Sequence, residues 1–434
     1  MADRVSLADL ALVSSEGKPV IGKEELRHLS AGLGETEAGL AWRLAALAAY
    51  RDEPLPSRVV HLWRYTDPAH LMPGESLPAA MPPRDLKVAE MPTDEPAVLL
   101  VPGRAPELNA AARASGLTVA PLLHDDGDAE LLGTAAPGTN GFFAALNAAA
   151  WNAGVAVYAP AGKALAEPLR LLVPAFAETT LPRVLVVAGR GAELTVVEEH
   201  YGGRDGHRVI GTTELLVGQN AHVRHVLVER WEEGVTGFLA VRARVERDGS
   251  YLGVNASLGG SRLKLETGAE LVGKGARSEL VGVVLGGGEQ RFDHHTLHRH
   301  VAGDTWSNID FKAALTQKSR SSYTGLIRIE EDAPRSEAFQ ENRNLLLSDS
   351  ARADTIPELE ILTDDVSCSH GATAAPIDPE QIFYLQTRGI PRGEAVRLVV
   401  RGFVETTLSQ VPASVRDGLE ALVTARLATL GEDV

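Results

Sequence analysis

The sequence predicts a mainly β protein built around a stacked parallel β-solenoid, and three observations carry that expectation. From about residue 155, short runs rich in Val and Leu are broken by Gly, Asn and Asp turns. The runs keep a period: Ala192, Ala221, Ser250, Ser278, Ser307 and Ser336 are spaced by 29, 29, 28, 29 and 29 residues. Two positions after each stands a core-type residue (Leu194, Val223, Leu252, Leu280, Ile309, Ala338), an alternation that suits strands and not helices.

A fixed period of this size marks a solenoid, in which each repeat buries its apolar face against its neighbours. The L-x-x-L-x-L-x-x-N pattern of leucine-rich repeats is absent. Second strands between the aligned ones (Glu214 to Val217, Leu239 to Val245, Gly325 to Ile329) imply two or more strands per coil. An antiparallel sandwich with evenly spaced strands is the alternative, and retention of phase across the repeats disfavours it.

The chain divides into four parts: a helical region over 1–70, a linker with a small α/β region over 71–154, the β-helix over 155–366, and a helical region over 367–434. Leu26, Leu29, Leu33, Leu40, Leu44 and Leu47 keep helical spacing, and Gly32 and Gly34 split the stretch into two helices. Residues 72–96 are Pro-rich and read as loop. Asp378-Pro379 supplies an N-cap followed by proline at the first helical position, with Gly389 just past the end. Two further helices follow, one through Val396, Val399, Val400 and Phe403, the other through Leu419, Val423 and Leu427.

Composition narrows the function. A net charge of −16 argues against nucleic acid and against anionic membranes. Cys368 is the only cysteine, so no intrachain disulfide forms, which suits a reducing compartment. Asp3, Arg4 and Asp9 interrupt the start where a signal peptide needs an apolar run, so a cytoplasmic location is expected. The uncharged stretch Leu131 to Gly162 carries two prolines and reads as loop, Ala-rich helix and strand. There is no G-x-x-x-x-G-K-[ST] phosphate loop, so ATP hydrolysis is not expected in this chain.

Three groups of residues could carry chemistry. In DHHTLHRH (293–300), His294, His298 and His300 share one face of a strand and His295 takes the other, a pattern open to a three-His metal site or to a polar solenoid face. Asp293, Asp304 and Asp310 are the acids a polysaccharide-cleaving β-helix would use, although their spacing compels nothing. In DDVSCSHGAT, Cys368 and His370 point the same way if the segment is extended, which suits a metal or a nucleophile–base pair. Asp364 and Asp365 beside them are expected to raise the thiol pKa.

QENRNLLLS, PELEI, DDVSCSHGAT and FYLQTRGI, with WRYTDP (63–68) and 145–171 upstream, resemble the SufB/SufD family of iron–sulfur cluster assembly proteins, most of all its SufD branch. The resemblance implies a right-handed parallel β-helix between helical ends, and a non-catalytic scaffold. It implies a SufB-like partner at the end of the β-helix and a SufC-like ABC ATPase on the C-terminal helices, expected at Val396, Val399, Val400 and Phe403. Cys368 and His370 match the family's C-S-H, placing them at the interface where a cluster is held transiently, with no cofactor tightly bound to this chain alone. Two departures are AAPID after CSHGAT and Ala313 after Phe311-Lys312.

Overall fold

The computed structural model describes residues 18–73 and 91–430. The start of the chain and most of the Pro-rich stretch, and with them the reading against a signal peptide, lie outside these residues.

Among the described residues two ten-stranded sheets face each other along the solenoid, and from Glu193 onward consecutive strands fall in opposite sheets. Sheet I contains Glu193–Gly202, His222–Trp231, Ser250–Ser257, Arg277–Gly286, Trp306–Leu315, Ser336–Leu346 and Val366–Pro376. Sheet II contains Arg208–Val217, Thr236–Val245, Arg262–Leu271, Arg291–His300, Arg320–Ile329 and Arg352–Ile361. Neighbours within these sets are parallel, and each coil buries alternate side chains in a shared lumen. Val196, Leu239, Leu265, Ile309 and Ile327 are among the residues that fill it.

The period holds on average, but its phase wanders. Along sheet I, paired residues differ by 29 from Glu193 to His222, 28 to Ser250, 27 to Arg277, 29 to Trp306 and 31 to Glu337. From Ser336 to Val366 the offset is 30. Ser250 therefore pairs with His222 rather than stacking on Ala221, and Tyr251 fills the lumen where Leu252 was expected. Leu252 turns outward beneath the C-terminal helices. Turns of varying length absorb the difference, because the buried alternation fixes register only within strands.

Each sheet's outer face is covered by one helical region. Lys23–Leu33, Glu37–Asp52 and Phe142–Ala150 lie over sheet II, where Leu26, Leu47, Phe142 and Phe143 meet Leu185, Ile210 and Phe238. Gly34 closes the first of these helices in the left-handed region, at φ 71°. Trp63, Phe143 and Phe238 stack with ring centroids 5.1 and 5.2 Å apart. Two fully buried ion pairs fasten the cover: Arg43 to Glu35 at 2.6 Å and Arg183 to Glu214 at 2.5 Å. Glu214 also accepts the Gly133, Ala135 and Ala136 amides, so its charge is hydrogen-bonded throughout.

Pro379–Thr387, Arg392–Leu408 and Ala413–Leu430 lie over sheet I. Asp378 caps the first by accepting from the Glu380 amide at 2.8 Å. Val396, Val400, Val404, Leu419 and Val423 pack there on Val226, Val254, Val281 and Val283. This explains why those strands are apolar on both faces.

The two ends of the solenoid differ. At the N-terminal end the short strands Glu107–Leu108 and Thr118–Pro121 pair antiparallel and are the outermost strands of the two sheets. Ala97–Leu99 pairs in parallel with Leu169–Pro174, so part of the region read as a small α/β unit belongs to the sheets. At the other end the outermost strands are Arg352–Ile361 and Val366–Pro376. The last strand runs past residue 366, where the sequence placed the end of the β-helix, and the first C-terminal helix starts at Pro379.

Candidate functional site

The C-S-H sequence lies on this last strand of sheet I. Cys368 pairs with Ala338 and His370 with Gln340, both buried lumen residues. The two therefore occupy lumen-facing positions of a coil with no further coil above it. Along a strand such positions are about 6.6 Å apart. Cys368 is half-buried against the lumen core, while His370 is exposed. Burial pushes the Cys368 thiol up, and a hydrogen bond from the Ala338 backbone pulls it back in part. Burial, not Asp364 or Asp365, is thus what raises it. A thiol so placed is a poor free nucleophile, but it can give up its proton to a cation that binds it.

Both terminal strands present unpaired backbone N–H and C=O groups along one side, because neither has an outer neighbour in its sheet among the described residues. Ile361 and Leu362, 37% and 43% exposed, stand at the end of one of them. The rim therefore offers hydrogen-bonding edges, a few apolar side chains, one thiol and one imidazole.

The histidine cluster is structural. His294, His298 and His300 face the lumen, fully buried, and each is held by a hydroxyl: Ser257 at 2.9 Å, Ser278 at 2.9 Å and Ser307 at 2.8 Å. Burial lowers the pKa of His294 and His300 to about 4 and that of His298 well below its usual value, so all three are neutral. His295 lies on the outside of sheet II against Asp293 at 2.9 Å. Among the described residues no three His, Cys, Asp or Glu side chains gather as a metal site.

The three acids also separate. Asp293 is buried on sheet II with Lys264 and His295, and it accepts the Thr66 hydroxyl at 2.5 Å. Asp304 sits in a turn paired with Arg335 and Lys274. Asp310 lies under the C-terminal helices, accepting from Thr407 at 2.8 Å. No groove brings them together, so the polysaccharide reading loses its acids.

Of the four helix residues expected to meet an ATPase, Val396 and Val400 are 2% and 1% exposed and face sheet I. Val399 and Phe403 are partly buried beside them. The apolar side chains that these helices leave in solvent are Phe383, Tyr384 and Leu398, exposed by 68%, 58% and 44%.

Sequence reasoning missed one lumen cluster. Glu198 accepts from His200 at 2.7 Å, His225 at 2.9 Å and Thr213 at 2.8 Å, all buried. Burial alone would raise its pKa, and the two imidazoles hold it well below the usual carboxylate range. A carboxylate at a lumen-alternation position was the available signal. Its strand is six steps from the rim within sheet I, roughly 29 Å at the usual strand spacing, so it does not belong to the Cys368 site.

Fold and site together define a parallel β-solenoid whose rim displays a half-buried thiol and an exposed imidazole. The SUF system FeS cluster assembly SufBD core domain matches residues 173–403, just over half of the chain. An iron–sulfur cluster assembly SufBD family protein of Staphylococcus epidermidis is 28% identical over 289 residues, covering 65% of this chain and 62% of the relative. A SufBD family protein of Mycobacterium tuberculosis is 33% identical over 240 residues, covering 53% of this chain and 60% of the relative. The chain thus spans less than two thirds of the length of these relatives. It belongs to the SufBD family of iron–sulfur cluster assembly proteins.

Proposed function

We propose that this chain is a SufD-type scaffold subunit: a non-catalytic partner that pairs its rim with a SufB-like chain, so that Cys368 and His370 face a nascent iron–sulfur cluster. The single observation that supports this most is the unequal finish of the solenoid. One end finishes in antiparallel strands of only two and four residues, and the end carrying the C-S-H sequence finishes in two parallel edges of ten and eleven residues. An edge of this kind invites addition of another strand, in which main-chain hydrogen bonds supply affinity. Cys368 and His370 are two donors, and a tetrahedral iron or zinc site takes four. The partner supplies the rest, and the cluster is cargo held in passing rather than a resident cofactor.

The same reading gives ATP hydrolysis to a SufC-like ABC ATPase that docks on the exposed side of the C-terminal helices around Phe383, Tyr384 and Leu398. It places the complex in the cytoplasm, supporting cluster assembly and iron acquisition. No described helix is long and apolar enough to cross a membrane. In isolation the chain would form a homodimer through the same rim.

Co-purification from the native host tests the partners: recovery of neither a SufB-like chain nor an ABC ATPase refutes the reading. His370→Ala tests the site. Because His370 is exposed, folding and partner binding are expected to survive, while cluster yield in the reconstituted complex falls. An unchanged yield removes His370 from the site.

A further inference from the structure

We propose that the outer edge of sheet II holds a binding site for a small phosphate-bearing anion, built from Arg58, Arg262 and Arg291 with Tyr65 and His70. The site is a pocket of about 150 Å³ between the 58–70 segment and the starts of the sheet II strands. It lies on sheet II, whereas Cys368 lies on sheet I, and nothing in the assembly role requires it.

Solenoid register creates the positive charge. Arg262 pairs with Arg291, Arg291 with Arg320, and Arg320 with Arg352. Four guanidinium side chains therefore start from backbone positions one strand apart, about 4.8 Å per step. Arg291 and Arg352 are partly occupied, since each donates to nearby turn carbonyls. Among the described residues, the Arg262 and Arg320 side chains have neither a hydrogen bond nor an ion pair. Burial first, then the like charges of Arg320 and Arg262, lower the pKa of Arg291, and the nearby Glu289 offsets this only in part. Glu289 hydrogen-bonds Lys318 at 3.1 Å and reaches Arg291 and Arg262 only through its field, and Asp67 accepts from the Ala69 amide at 3.0 Å. In a chain of net charge −16, such a concentration of guanidinium groups is a local feature that general surface charge does not explain.

The opposite wall is held in place. Lys264, fully buried, donates to the Leu62 carbonyl at 2.7 Å, and Asp293 accepts the Thr66 hydroxyl at 2.5 Å. The Lys264 ammonium also sits 4.7 Å from the Trp63 ring centroid. This buried pair anchors the segment that carries Tyr65 and His70, so the pocket is set before a ligand arrives. Planar guanidinium forks match phosphate oxygens two at a time, and the tyrosine hydroxyl adds a donor. The enclosed volume suits one or two phosphate groups rather than a nucleic-acid backbone, which the net charge repels.

Calorimetric titration of the full chain with inorganic pyrophosphate in about 0.15 M NaCl tests the site. Saturable binding is expected, weakened tenfold or more by Arg262→Gln and by Arg58→Gln. Arg230→Gln, whose side chain pairs with Glu199 on sheet I, is expected to leave binding unchanged. The proposal is overturned by absence of saturable binding at millimolar pyrophosphate, or by equal weakening in the Arg230 control. Tighter binding of a Glu-rich peptide than of pyrophosphate also overturns it and makes the patch a protein-docking surface. Far-UV circular dichroism of each variant checks that the fold is intact, and the exposed Arg58 variant keeps the test decisive if Arg262→Gln misfolds.

Discussion

Replacing Asp293 by alanine separates a structural carboxylate from a catalytic one. The side chain is 3% exposed and meets Lys264 at 3.3 Å, His295 at 2.9 Å and Thr66 at 2.5 Å. Its removal strands the Lys264 ammonium, which has no exposure to water. Breaking a buried pair from one side costs about 3–5 kcal/mol, mostly for the charge left behind. Lost hydrogen bonds lie within that figure and are not added to it. Burial alone would raise the Asp293 pKa, but Lys264, His295 and Thr66 hold it well below the usual carboxylate range. A depressed carboxylate stabilises the fold fully above its unfolded value near ~3.9, and the contribution fades as pH falls below that. Urea unfolding, followed by Trp fluorescence and circular dichroism, is therefore expected to show the full loss at pH 7 and a shrinking one below about pH 4. The double variant Lys264→Met/Asp293→Leu is expected to recover most of the loss, because an apolar pair of similar volume often replaces a buried ion pair at little cost. A destabilisation below about 1 kcal/mol at pH 7 would refute the argument. So would a double variant no better than Asp293→Ala.

Two further outcomes follow from burial. Glu229 is fully buried with its pKa raised to about 7 by burial, against which the Trp231 and Gly259 amides work. An elevated acid costs stability as pH climbs from its unfolded value toward 7, so Glu229→Gln should flatten the pH 4.5–7 slope by up to about 3 kcal/mol; parallel slopes in both proteins would count against it. Val400→Asp puts a charge under the C-terminal helices and is expected to cost more than about 3 kcal/mol, while the exposed Leu398→Asp costs within about 0.5 kcal/mol. Loss of ATPase binding by Leu398→Asp with an unchanged melting temperature would assign the docking face; retained binding would move it elsewhere.

Much of this architecture is legible in the sequence because the solenoid repeats one physical problem. Val or Leu at alternate positions recurs each time a strand must bury one face, and the turn residues recur with it. The sequence does not show how long each turn is, and that is why Ser336 falls two places short of the residue that pairs with Ser307. Nor do Val226, Val254 and Val281 say which cover lies over them, since a strand buried on both faces carries no one-sided pattern. Cys368 and His370 are readable as a pair because strand geometry alone puts i and i+2 on one face. Their exposure at a rim depends on where coiling stops, which no local pattern encodes. The histidines of 293–300 mislead for a related reason: imidazole satisfied by serine in a lumen looks, in sequence, like imidazole awaiting a metal. Lys264 and Asp293 meet only because strands 29 residues apart lie side by side.

The antiparallel strands that finish the N-terminal end have a consequence for stoichiometry. A rod with two adhesive ends joins head to tail without limit, giving filaments whose length follows concentration. Here one end finishes in Glu107–Leu108 and Thr118–Pro121, two and four residues long, against the ten and eleven residues of Arg352–Ile361 and Val366–Pro376, so the two ends offer unequal lengths of edge for coaxial growth. Two such rods have most to gain rim to rim, and their union keeps only the short edges for extension. The inequality favours pairs over filaments.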